Sequence, residues 1–125
     1  MVNIIITGGS SSIGRELISK LSLKKINIIY QINKSKPFIK KKNINFIRSD
    51  FCNHVSLKKF INFVTKKTNK IDFLIHLPSS KIQIKKFEDY SWFEINSQIN
   101  IQVRSLHFLL TSLIKKKILS RKTKI

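Results

Sequence analysis

One run near the start constrains the fold more than anything after it. Val2 to Ile6 are largely β-branched and apolar, and Thr7-Gly8-Gly9-Ser10-Ser11-Ser12-Ile13-Gly14 follows at once. A short apolar run of this kind reads as a buried strand. Apolar residues then return at Ile13, Leu17, Ile18 and Leu21, the spacing of one helical face, behind serines able to cap the helix start. In the order strand, glycine turn, helix, backbone N–H groups and a positive helix end converge on one anion, so the segment suits a phosphate.

The pattern continues. Ile26 to Tyr30 have the strand signature again, and the helical stretch before them is long enough for a parallel crossover, which makes one βαβ unit. The stretch 33–43 is polar, basic and broken by Pro37, so any helix there is short or irregular. Ile44 to Ile47 predict a third strand running into Arg48-Ser49-Asp50. Leu57, Phe60, Ile61 and Val64 share one face of an amphipathic helix with lysines opposite. Ile71 to Leu77 predict a central fourth strand, with Asp72 at its entrance and His76 near its exit, ended by Pro78. The stretch 92–117 predicts one long helix whose stripe Ile95, Ile99, Val103, Leu106 and Leu110 faces the core. Its second apolar face, from Ile101, Phe108 and Leu109, is expected to meet a partner.

Charge narrows the function classes. The chain has 25 Lys and Arg against 6 Asp and Glu, a formal net charge of +19. With 42% hydrophobic residues and nine phenylalanines it has the material for a core, which argues against disorder. The composition favours Ile, Lys, Asn and Phe and lacks alanine, so the lysines read as a solvated surface drawn from AT-rich codons. There is no zinc-finger spacing, aromatic ribonucleoprotein motif or clear helix-turn-helix, so specific nucleic-acid binding is not expected, and weak nonspecific binding at low salt is. One cysteine excludes an internal disulfide, and the first residues enter a strand pattern with no leader, so a cytoplasmic setting is expected, with no membrane span. Cys52, His54, His76 and His107 lack the spacing of a metal set.

The glycine turn resembles the fingerprint Thr-Gly-x-x-x-Gly-x-Gly of the short-chain dehydrogenase/reductase family, with Ser12 at the middle glycine. Asp50-Phe51 is similar to that family's Asp followed by an apolar residue, whose carboxylate accepts a hydrogen bond from adenine. Residues 71–79 resemble Asp-x-Leu-Val-Asn-Asn-Ala-Gly, with His76 in place of the first Asn. Trp92 and Asn100 resemble the Trp and the catalytic Asn of the dimerisation helix. The resemblance spans essentially the whole chain and implies a partial Rossmann α/β fold, residues 1–125 forming a single domain. Its four parallel strands would run in the order 3-2-1-4, with helices on both faces and the fourth strand at an edge. It further implies a nicotinamide dinucleotide bound by Gly8, Gly9, Ser10, Ser11, Ser12, Ile13, Gly14, Asp50, Phe51 and His76, and a hydride-transfer oxidoreductase similar to 3-oxoacyl reductases.

The family's catalytic Ser and Tyr-x-x-x-Lys fall after a fifth strand, and of its catalytic set this chain has only Asn100. Tyr30 to Lys34 spell Tyr-x-x-x-Lys at the adenosine end of the second strand, where no nicotinamide lies, and Tyr90 has Glu94 four residues on. The chain is therefore expected to be truncated and inactive alone. The second strand ends in Tyr30-Gln31-Ile32-Asn33-Lys34-Ser35, without the carboxylate that accepts the ribose hydroxyls of NAD. NADP(H) is thus favoured over NAD(H), with Asn33, Lys34 and Ser35 as 2′-phosphate contacts. The expected partners are a second copy or another chain, met through helix 92–117. The alternatives are a non-catalytic nucleotide-binding or interaction protein docking through that helix, and a basic nonspecific nucleic-acid binder.

Overall fold

A computed structural model describes residues 1–81 and 83–125. Four strands, β1 Val2–Thr7, β2 Ile26–Ile32, β3 Ile44–Arg48 and β4 Phe73–His76, form one sheet in the order β3-β2-β1-β4, and every pairing is parallel. Helix α1, Ser12–Leu21, crosses from β1 to β2, and α2, His54–Lys67, crosses from β3 to β4. The expected strand order holds, because the two inner strands carry apolar side chains on both faces.

The alternation along β1 and β2 builds two cores. Ile4, Ile6, Ile28, Tyr30 and Ile32 point to one side and pack on Ile18 of α1. Ile5 and Ile29 point to the other and meet Leu57, Phe60, Ile61 and Val64 of α2, the four positions expected from helical spacing. Helices therefore cover both faces. Each helix start is capped as its sequence suggests: Ser11 Oγ accepts from Gly14 N–H at 3.0 Å, and Asn53 Oδ1 accepts from Ser56 N–H at 3.0 Å.

The stretch 33–43 forms no helix: bends at 33–35 lead into irregular chain, and a turn at Lys42 and Asn43, closed by an isolated bridge from Lys41 to Ile44, leads into β3. β2 runs two residues further than the apolar run suggested, to Ile32, which places Gln31 inside the sheet. β4 is shorter than expected, with Asp72 at its entrance: Oδ2 accepts from Asn3 N–H at 2.9 Å and Lys70 Nζ lies 2.6 Å from Oδ1.

The expectation of one long helix over 92–117 needs correction. The segment comprises α3, Trp92–Ile99, a π-helical stretch, Asn100–Arg104, and α4, Ser105–Lys115. It starts at a capping box between Ser91 and Glu94 and ends before Lys117, whose φ of 58° is left-handed. The proposed core stripe is also wrong: Ile95, Ile99 and Val103 are exposed, while Ser105, Leu109 and Leu113 are buried. Burial needs a wall, and α2 supplies one for α4 only. The π stretch also breaks the 3.6-residue phase on which such a stripe is counted. Nor is β4 a bare edge. Lys124 bridges to Phe73 in parallel, its carbonyl accepting from Leu74 N–H at 2.9 Å and its N–H donating to Asp72 O at 3.0 Å, so a fifth strand position begins there.

Candidate functional site

The glycine turn joins β1 to α1 at the carboxyl end of the sheet, where nucleotides bind in open parallel α/β folds. Gly8 has φ +70°, and a Cβ there would lie 2.7 Å from the Leu77 carbonyl carbon and the Pro78 nitrogen. The turn therefore passes against the exit of β4 with no room for a side chain. A Cβ on Gly14 would lie 2.7 Å from Gly8 O, so the helix sits directly on the turn. Ser12 shows no such constraint: its backbone is not left-handed and it is exposed at the first position of α1.

Hydrogen bonding decides which donors remain for a ligand. Gly8 N–H donates to Gln31 Oε1 at 2.8 Å and Gly9 N–H to the Gln31 carbonyl at 2.9 Å. Ser11 N–H donates to Gly8 O at 3.1 Å, and Gly14 N–H to Ser11 Oγ. The N–H groups of Ser12 and Ile13 lie in the first turn of α1, where no intrahelical acceptor exists. With Ser10 N–H, they are the backbone donors of the turn that have no acceptor among the described residues.

These groups border a cleft of about 230 Å³ lined by Gly8, Ser10, Ser11, Gln31, Asn33, Asp50, Phe51, Leu77, Pro78, Ser79 and Ile101. Of the residues anticipated from sequence, Gly8, Ser10, Ser11, Asn33, Asp50 and Phe51 line it. Gly9, Ser12, Ile13, Gly14, Lys34, His76 and Asn100 stand around it without forming its wall. Asp50 is exposed, and its Oδ1 accepts from Cys52 N–H at 2.9 Å. Phe51 is buried, edge-on to Phe60 at 5.2 Å. Cys52, beside this loop, is exposed, and desolvation, with the Asp50 charge behind it, pushes its thiol up, away from a reactive thiolate.

Two contributors were missed by sequence reasoning. Gln31 grips both glycines, and its outward signal was only a polar residue inside an apolar strand. Arg15 folds back so that Nε donates to Ser10 O at 3.2 Å and its guanidinium lies 4.8 Å from the Phe38 ring centre, bringing a cation to the turn. Lys34 is exposed, and the Ser35 carbonyl accepts from Arg48 Nη2 at 3.3 Å.

His76 pairs with Thr7 across β1 and β4, its Nδ1 2.8 Å from Thr7 Oγ1. Nε2 is buried without a hydrogen-bond partner, on the side of the Ile101 and Gln102 carbonyls of the π stretch. Burial depresses the imidazole pKa below its usual value. Asn100 opens the π stretch: its carbonyl accepts from Ser105 N–H, one residue later than in an α-helix, and Ile101 reaches the cleft. Tyr30 is fully buried between Phe38 and Phe46, so the Tyr30–Lys34 run offers no accessible phenol.

A second, larger groove of about 680 Å³ lies away from the turn, between Ser80, Lys81, Gln83, Phe87 and Tyr90 on one side and α3 on the other, with Phe93, Ile95 and Ile99 on its walls. Among the described residues no three His, Cys, Asp or Glu converge as a metal site, and no helix is long and apolar enough to cross a membrane.

A parallel sheet in the order 3-2-1-4, with a glycine turn feeding a helix N-terminus beside a cleft that Asp50 lines, defines a Rossmann-type α/β fold. The sequence profile of short chain dehydrogenases matches residues 2–125, and the chain belongs to that family. Solved structures agree in fold. A short chain dehydrogenase family protein from Francisella tularensis is 20% identical, with TM-score 0.82 over 98% of this chain and 48% of that one. A short chain dehydrogenase from Leptospira borgpetersenii with bound NAD+ is 22% identical, TM-score 0.74, over 93% and 44%. A 3-ketoacyl-(acyl-carrier-protein) reductase from Brucella melitensis complexed with NADH is 14% identical, TM-score 0.78, over 92% and 50%. The chain thus spans about half the length of these proteins. No curated protein sequence matches it.

Proposed function

We propose that residues 1–125 are the cofactor-binding part of an NADP(H)-dependent short-chain reductase of the 3-oxoacyl type, unable to complete the reaction by themselves. The observation that carries this reading is the donor arrangement of the turn, in which Gln31 and the turn itself take up the N–H groups of Gly8, Gly9, Ser11 and Gly14 and leave those of Ser10, Ser12 and Ile13 for an incoming pyrophosphate. Asp50 takes the adenine amino group through the carboxylate oxygen that Cys52 leaves free, and Phe51 forms the floor beneath it. The chemistry of such a cofactor is hydride transfer to a carbonyl carbon, with a proton delivered to the oxygen. Asn100 belongs to that machinery, at the π stretch beside the cleft. Neither tyrosine of this chain presents a free phenol to the cleft, since Tyr30 is buried and Tyr90 Oη donates to the Gln83 carbonyl.

Preference for the 2′-phosphate rests on charge: the exit of β2 bears Asn33 and Lys34 with no carboxylate, and Arg15 stands over the same side of the turn. Titration of the chain with NADP+ and NAD+ at matched ionic strength tests it. NADP+ is expected to bind at least about tenfold more tightly, and Lys34→Glu to erase the difference. Equal affinities refute the preference, and no binding of either refutes the cofactor reading.

A second reading, supported by the groove along α3, is self-association. Phe87, Trp92 and Phe93 are 88%, 70% and 80% exposed. Residues 80–103 carry three lysines and three carboxylates, so they are neutral on a chain of net charge +19. Two such bodies repel everywhere else, which makes this face the one at which a second copy meets least repulsion. Sedimentation is expected to give a dimer that Phe93→Asp converts to monomer.

A further inference from the structure

We propose that Gln31 is a positioning residue that locks the pyrophosphate turn to the adenine loop, so that the two halves of the cofactor site are set by one side chain. The inference rests on the cofactor reading above.

Gln31 is 4% exposed in the middle of the β2 exit, and every polar group it presents is used. Its Oε1 accepts Gly8 N–H at 2.8 Å, its Nε2 donates to the Ser49 carbonyl, and its own carbonyl accepts Gly9 N–H at 2.9 Å. Ser49 is itself buried at the end of β3 and carries the connection onward. Its Oγ donates to Ser56 O at 2.8 Å, and Ser56 Oγ accepts Asp50 N–H at 2.9 Å. A continuous polar path therefore runs from Gly8 through Gln31, Ser49 and Ser56 to Asp50. On its other side Gly8 meets the Leu77 and Pro78 backbone, so the turn is held between the β4 exit and this carboxamide.

The arrangement needs one acceptor and one donor on the same planar group. An aliphatic side chain of equal size fills the space but leaves Gly8 N–H and Ser49 C=O buried and unpaired, which the backbone relieves by moving. Glutamate keeps the acceptor and loses the donor when ionised, then regains it as the neutral acid. Asp50, lining the same cleft, adds a like charge that favours the neutral acid.

The test uses the full chain with Gln31→Met and Gln31→Glu, reading NADP+ and 5′-AMP affinity by titration and Gly8 amide exchange without ligand. Gln31→Met is expected to weaken both ligands by about tenfold or more and to speed Gly8 exchange. Gln31→Glu is expected to bind near the wild-type level in acid and progressively more weakly as pH rises, a profile the wild type lacks. A space-filling role would leave affinity per folded molecule and the pH profile unchanged. If Gln31→Met does not fold, Gln31→Glu read in acid and again at neutral pH supplies the same comparison. Unchanged affinity with unchanged exchange overturns the inference while leaving the cofactor reading intact, whereas a wild type that binds neither ligand overturns that reading itself.

Discussion

Gly14→Ala sets two effects of opposite sign against each other. Gly14 lies in the first turn of α1 with an ordinary helical backbone, so alanine gains about 1 kcal/mol of helix propensity. The added Cβ, however, meets Gly8 O at 2.7 Å, Gly9 Cα at 2.8 Å and Gly9 C at 2.9 Å, where carbon contacts relax near roughly 3.5–4.0 Å. All three are backbone atoms of a turn that cannot retreat, since Gln31 holds both glycine N–H groups and the β4 exit backs Gly8. Overpacking costs about 1–3 kcal/mol where side chains yield. Here nothing yields, so the upper end applies and the net loss is about 2 kcal/mol. At about 4 °C per kcal/mol, the midpoint of thermal unfolding falls by about 8 °C. Gly9→Ala is the control: its Cβ meets Tyr30 Cδ2 at 2.9 Å and Ile18 Cδ1 at 3.1 Å, side-chain atoms that can shift, so the expected loss is smaller. Heating the three proteins under circular dichroism should rank wild type above Gly9→Ala above Gly14→Ala. A Gly14→Ala midpoint at or above wild type would refute the steric argument.

The depressed pKa of His76 makes stability fall in acid. The unfolded chain takes up a proton near the ordinary value of 6.5, while the folded one resists until lower pH. The stability is therefore full above about 6.5 and lost as pH drops through the folded pKa. Denaturant titrations from pH 7.5 to 5 should show this slope, and His76→Gln should flatten it. Glu94, held down to about 2 by Lys85 and the Ser91 cap, behaves similarly at lower pH, its contribution lost as pH falls from 4.5 towards 2. Ser91→Ala removes the hydroxyl of that cap and should cost about 1 kcal/mol, read as reduced ellipticity and a lower midpoint. Duplex DNA binding is expected to be weak and to collapse between 50 and 200 mM salt, roughly as counterion release requires; affinity insensitive to salt would point to a specific site instead.

The strands and the two helical crossovers were legible because they rest on local periodicity: a β-branched run, a glycine turn and a 3.6-residue stripe each carry their own signal, whereas the strand order rested on the family resemblance. The position of the glycine turn was legible for the same reason, since it lies directly between the first apolar run and the first helical stripe. Gln31 was not, because its importance lies in Gly8 and Ser49, which approach it only when β1 and β3 flank β2. The stripe through Ile95, Ile99 and Val103 was misread because periodicity says that a face is apolar and not whether a wall stands opposite. The bare β4 edge failed alike, because the strand position beside it is filled by Lys124, some fifty residues along the chain. The sequence by itself determined the strands, the crossover helices and the glycine turn between the first two elements, because neighbouring residues encode them, and its family resemblance supplied the strand order. Only the tertiary structure decided which N–H groups are spent, which remain for a phosphate, and which apolar face lies bare, because those depend on groups that meet across the sheet.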